Sequence, residues 1–205
     1  MNDKLVNATI ESLAQSVSNW YNPNRQYHNI NHVKDMLKQV SESSCNIGFA
    51  YPEIDWEILI TSILWHDAGY KPGYALNEFE AADLYRHYCG LNAKREVIEA
   101  IISTIPFHDK GFPTPEQKVL HDLDWFGFMS YEKMLSNEAK IIEEAMNYLD
   151  VTRSFVKNNQ LKFYKKILDE GKPLYVTTIW EEYNAQAFAN IRLRIEEMEN
   201  EGVGF

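Results

Sequence analysis

The chain has 205 residues, 45% hydrophobic and 13% aromatic, which suffices for an ordinary core in one domain, or one domain with an added helical layer. Its formal net charge of −10 argues against binding a nucleic-acid polymer, which needs a basic surface. No stretch approaches the roughly 20 apolar residues of a membrane-spanning helix, so no membrane partner is expected.

In chain order, helical periodicity dominates. Leu5, Ile10, Leu13 and Val17 form an approximate stripe within 3–20. Asn29-Ile30-Asn31 opens a second helix to about Ser43, with Val33, Met36, Leu37 and Val40 on one face. Tyr51-Pro52-Glu53 starts a third, expected to run to Ala68 and to stop at Gly69; its segment from Trp56 to Trp65 is apolar nearly all round, as in a central helix. Asn77 is expected to cap a fourth helix to about Tyr88, Asn92 or Ala93 to start a fifth that ends before Pro106, and Pro115 to open a sixth through Leu123. Further helices are expected over about 131–148, 150–169 (closed by Gly171) and 177–199. No run alternates with period two long enough to make a strand. The expected fold is all-α: one helical domain over 1–205, with a core over about 20–130 and a helical extension over about 131–199. The first residues, MNDKLVNATIESLAQSV, hold no apolar signal core, so a cytoplasmic protein is expected, and Cys45 and Cys89 read as free buried thiols.

The sharpest chemical feature is His66-Asp67 at the end of the apolar helix. Adjacent residues diverge by roughly 100° in mid-helix, but at a C-terminus both can reach one object beyond the helix end. A metal is such an object, since imidazole and carboxylate both ligate it; a capping His beside a turn-forming Asp is the plainer alternative. His28 and His32 lie four apart at the start of the second helix, so they are expected to share a face; such a pair binds metal directly or consists of ordinary polar surface residues. Asp122-Leu123-Asp124 is embedded among Leu120, Trp125 and Phe126, where an acid needs a partner: a cation, an Arg or a helix cap.

Taken in order, Arg25-Gln26-Tyr27-His28-Asn29-Ile30-Asn31-His32, Trp65-His66-Asp67-Ala68-Gly69-Tyr70-Lys71-Pro72, Asn77-Glu78-Phe79-Glu80-Ala81-Ala82, Ile102-Ser103-Thr104 with His108, and Asp122-Leu123-Asp124 resemble the HD superfamily, and within it the bacterial group of predicted metal-dependent HD phosphohydrolases. Lys172-Pro173-Leu174-Tyr175 and Ala187-Phe188-Ala189-Asn190-Ile191 resemble the closing helices of that group, so the likeness spans about 20–195. The resemblance implies an HD-type helical bundle in which His32, His66, Asp67 and Asp124 hold a divalent metal ion: Mn, Co, Fe, Ni or Zn. Some HD proteins carry a second metal on added histidines. Here Asn77 stands at one such place, while His108 falls where the last of those histidines would; His108, Asn77 and Asp122 are therefore the candidates for a second metal or for supporting the first. Asn184 and Phe188 stand where the group often has Glu and Arg, so the tail is read as packing only.

The implied activity is hydrolysis of a small phosphorylated metabolite or nucleotide by a metal-activated water, with Asp67 and Glu78 as catalytic groups. Arg25 and His28 are the expected phosphate contacts, with Lys71 either a third or a solvated loop residue. Glu78 either exchanges a proton at the site or complements the dipole of its helix. Asp122 either supports a ligand histidine or faces solvent. A homodimer is compatible with this reading. The alternatives are a diiron oxygenase of the same superfamily, which His108 favours and Asn77 opposes, and a metal-binding scaffold without activity.

Overall fold

The computed structural model describes residues 3–107 and 111–202, and among these every regular element is helical. The all-α expectation therefore holds. The chain falls into two compact units, Met1–Asp124 and Trp125–Phe205, a division close to the expected step from core to extension near 130. No helix among the described residues is long and apolar enough to cross a membrane.

The first unit contains α1 (Asp3–Val17), α2 (Ile30–Ala50), α3 (Trp56–Trp65), α4 (Asn77–Cys89), α5 (Arg95–Ser103) and α6 (Pro115–Asp124). Helix α3 is the central one: it packs against α1, α2, α4, α5 and α6. Its Leu59, Ile63 and Trp65 are buried, as an all-round apolar surface requires. Asp55 caps it, accepting from the N–H groups of Glu57 (2.9 Å) and Ile58 (3.2 Å), so it begins after Pro52 rather than at Tyr51. Helix α2 runs past the expected Ser43 to Ala50, because Ile47 continues its buried stripe and the serine-rich stretch bonds within the helix, Ser44 Oγ donating to Ser41 O at 3.0 Å.

Two expected N-terminal features differ. Helix α2 starts at Ile30 with Asn29 as its cap, so His28 precedes the helix and the four-residue spacing to His32 places them on no common face. Helix α4 starts at Asn77, with Leu76 in the cap position, so Asn77 does not cap it. Cys45 is exposed and Cys89 half-buried; both are free, but neither is the buried thiol anticipated.

In the second unit, α7 (Tyr131–Leu149), α8 (Arg153–Glu170) and α9 (Asn184–Asn200) build a core around Ile142, Leu161, Ile167, Ile191 and Met198. Ser130 and Thr152 cap α7 and α8. Gly171 closes α8 at φ +60°. The last helix starts later than the expected 177, because the Asn184 side chain holds the preceding stretch out of helix. Its Oδ1 accepts from the N–H groups of Leu174 (2.7 Å) and Tyr175 (2.9 Å), and its Nδ2 donates to Tyr175 O (2.9 Å).

Candidate functional site

Three helices of the first unit deliver four ligand-type side chains to one place. His32 stands in the first turn of α2, and Asp124 is the last residue of α6. His66 and Asp67 lie just past the end of α3, in tight turns rather than in the helix expected to reach Ala68. There the backbone switches from His66 N–H···Ser62 O (2.9 Å) to Ala68 N–H···Trp65 O (3.0 Å) and Tyr70 N–H···Asp67 O (3.2 Å). That change of pitch lets two neighbouring residues aim at one point. Gly69 (φ +73°) completes the turn and donates its N–H to Trp20 O at 2.9 Å; a Cβ there would come within 2.6 Å of Leu84 Cδ1.

The four groups are close. His32 Nε2 lies 3.2 Å from Asp124 Oδ1 and 3.8 Å from Asp67 Oδ2; His66 Nε2 lies 3.3 Å from Asp67 Oδ2 and 3.8 Å from Asp124 Oδ1. Two donors each about 2.1 Å from one cation and roughly 90–110° apart stand about 3.0–3.4 Å from each other. His32, His66 and Asp67 each place one ligand-type atom within 4.8 Å of the other two, close enough to share a cation with small adjustment, whereas Asp124 lies beside both imidazoles but outside that group of three. His66 is 1% exposed. Its Nδ1 is engaged with Ile63 O at 2.9 Å, which presents Nε2 to the site. His66 Nε2 and Asp67 Oδ2 are both buried without a hydrogen-bond partner. Such an atom costs about 1–3 kcal/mol, more when charged, unless something meets it. Two imidazole nitrogens and two carboxylates are a donor set for a borderline divalent ion, so the residues fit one.

The electrostatics agree. Burial pulls the His66 imidazole down, but the charges of Asp67 and Asp124 outweigh it and raise it from 6.5 to about 9. Burial pushes the Asp67 carboxyl up, and His66, His28 and His32 more than reverse this, holding it well below the usual range. The site thus attracts positive charge strongly.

Beside Asp67 opens a pocket of about 220 Å³ that Arg25, His28, Tyr70 and Lys71 border together with Trp20 and Tyr21. Arg25 is buried and donates from Nη2 to Tyr70 O at 2.7 Å. His28 stacks on Tyr70, with ring centroids 3.5 Å apart and planes 9° apart. Lys71 is exposed and forms an ion pair with Glu80. Burial raises the Glu78 carboxyl, the charges of Asp67 and Asp124 raise it further, and Glu78 is therefore within their field.

The remaining candidates are placed differently. The Asn77 amide closes the 71–77 loop on itself: Oδ1 accepts from Lys71 N–H (2.8 Å), and Nδ2 donates to Lys71 O (3.0 Å) and Tyr74 O (2.9 Å). Asp122 is fully buried, which removes the solvent-facing alternative. His108 lies outside the described residues. Nothing local in the sequence singles out Tyr21, Tyr27 or Tyr70 for a role of its own. Tyr21 donates to Leu64 O at 2.9 Å across 43 residues, and only the fold reveals that link. Comparison with models of known families, with curated proteins and with solved structures yields no match.

Proposed function

We propose that this chain is a metal-dependent phosphohydrolase, with His32, His66, Asp67 and Asp124 holding one divalent cation. The reading is carried by the convergence of these four groups, two of whose buried atoms, His66 Nε2 and Asp67 Oδ2, face each other at 3.3 Å without a hydrogen bond. Bound there, the cation supplies a water of lowered pKa and positive charge against phosphoryl oxygens. The chain's own residues do the rest. Arg25 and His28, fixed against Tyr70, receive the phosphate in the pocket beside Asp67. Lys71, exposed and paired with Glu80, adds charge at the rim. Glu78, whose carboxyl burial raises above its ordinary value, is the group placed to exchange a proton with the leaving oxygen. A pocket of about 220 Å³, together with the formal net charge of −10, favours a small phosphorylated metabolite or nucleotide over a polymer.

The test is hydrolysis of an aryl phosphate and a panel of nucleotides under several divalent metals, comparing wild type with Asp67→Ala. Supporting groups around a metal are worth about 10–100-fold, so loss of a ligand is expected to cost more than about 100-fold. Equal rates for the two proteins in every combination would end the hydrolase reading. Metal content measured on the same samples is expected to be one ion per chain.

A further inference from the structure

A continuous series of rings joins the pocket to the ligand histidines. Tyr70 and His28 stack at 3.5 Å. His28 meets Tyr27 edge-on, 4.8 Å between centroids and 84° between planes. Tyr27 lies against His32 at 5.0 Å and 31°, and His32 meets His66 at 5.3 Å and 62°. Tyr27 is the middle member, and it is neither a ligand nor a residue bordering the pocket.

His32 needs such a neighbour. Its backbone is set by the start of α2, where its N–H bonds Asn29 O at 3.1 Å. The helix backbone does not fix the imidazole's rotation about its own bonds; packing does. Asp124 Oδ1, 3.2 Å from Nε2, meets the ring at its tip. Tyr27 covers a face. The Tyr27 backbone is itself held, its carbonyl accepting from Asn29 N–H at 2.8 Å in the turn that precedes the helix. Burial, then the charges of Asp124 and Asp67, push the Tyr27 phenol well above its usual range, so it packs here as a neutral ring.

We propose that Tyr27 is a positioning residue whose ring, seated between His28 and His32, aims His32 Nε2 at Asp124 and Asp67 while holding His28 on Tyr70. One side chain then sets both the cation site and the phosphate pocket. The proposal rests on the metal-centre reading above and is separable from it. Mutagenesis distinguishes the ring from the hydroxyl: Tyr27→Phe keeps the planar face, whereas Tyr27→Met refills the space with a flexible chain that has none.

The experiment is a titration of the metal-stripped full chain with Co(II), read by visible absorption, whose band shape reports coordination geometry. Wild type and Tyr27→Phe are expected to give the same spectrum and affinity. Tyr27→Met is expected to bind about 10–100-fold more weakly, the range typical of groups that orient a metal ligand, with altered bands. Should Tyr27→Met fail to show native helix content, Tyr27→Leu is read by the same criteria. A wild type that binds no Co(II) overturns the metal centre and the role of Tyr27 with it. A wild type that binds, beside a folded Met or Leu variant of equal affinity and spectrum, overturns the role of Tyr27 alone. Weakening as large in Tyr27→Phe as in Tyr27→Met overturns the assignment to the ring.

Discussion

Each unit of this protein buries a cluster of charged side chains, and the two clusters are built on opposite plans. In the second unit Arg194, 6% exposed, lies against Glu138, 4% exposed. Nη2 donates to Oε1 at 2.7 Å, Nε donates to Oε2 at 3.0 Å, and the Tyr164 hydroxyl donates to the same Oε2 at 3.0 Å. Arg194 Nη1 reaches Glu197 at 3.0 Å and Glu201 at 3.2 Å. Both carboxylate oxygens of Glu138 are thereby satisfied from within the chain. In the first unit two carboxylates and two imidazoles face one another, and His66 Nε2 and Asp67 Oδ2, though 3.3 Å apart, are buried without a hydrogen bond. A closed network is a structural device; an open one, short of positive charge, is the arrangement a cation completes.

Removing one partner should therefore have different consequences in the two clusters. The largest expected effect on stability is in the closed one: Glu138→Ala strands Arg194 Nε and Nη2 and the Tyr164 hydroxyl, while Nη1 keeps Glu197 and Glu201, and is expected to cost about 3 kcal/mol, the lower end for a broken buried ion pair. Denaturant unfolding measures the loss, and the specific activity of whatever remains folded should be unchanged. If that variant instead lost activity without losing stability, the structural assignment of the second cluster would be wrong.

Next in size, if the proposed metal centre is right, is removal of a cation from the open cluster. At free metal about 100 times its dissociation constant, binding stabilises by about 2.7 kcal/mol, so chelation should lower the melting temperature of wild type and leave that of Asp67→Ala in place. The size of this gap should depend on pH. In the metal-free chain His66 titrates at about 9 instead of 6.5. Because its folded value is the higher one, the stabilisation it gives is fully present below pH 6.5 and is lost as pH rises through 9. The cation takes the place of that proton, so its apparent affinity climbs over the same interval. The gap between loaded and chelated protein should accordingly widen from pH 6.5 to 9; a gap that stays constant would remove His66 from the ligand set.

The smallest expected effect belongs to Asn77, which ties the loop bordering the pocket. Asn77→Ala removes its side-chain bonds to Lys71 and Tyr74 and is expected to cost on the order of 1 kcal/mol, seen as a modest fall in melting temperature with metal content unchanged. A variant that lost bound metal would restore Asn77 as a candidate at the centre itself.

Much of the helical order was legible in the residues. The apolar run from Trp56 to Trp65 announced a central helix, and the stripe from Val33 to Val40 announced a face packed on it, because burial imposes the 3.6-residue period directly on residue type. Ends were harder. Asp55 caps α3 and Asn184 binds the chain before α9, yet nothing local ranks these side chains above Asn77, which resembles a cap and bonds a loop instead. His28 shows the same limit: its spacing to His32 suggested a shared helical face, and the helix begins two residues too late for that.

What residue order carried, then, was the kinds of group available: imidazoles 32 and 66, carboxylates 67 and 124, and a helix greasy enough to be central. Their meeting was settled by the fold, since His32 Nε2 and Asp124 Oδ1, 92 residues apart, come within 3.2 Å only when α2, α3 and α6 pack together. So too were the seat of Tyr27 between two histidines and the closure of Arg194 upon Glu138. Side-chain chemistry is local to each residue, whereas proximity is a property of packing, and no period or motif in a single chain encodes it.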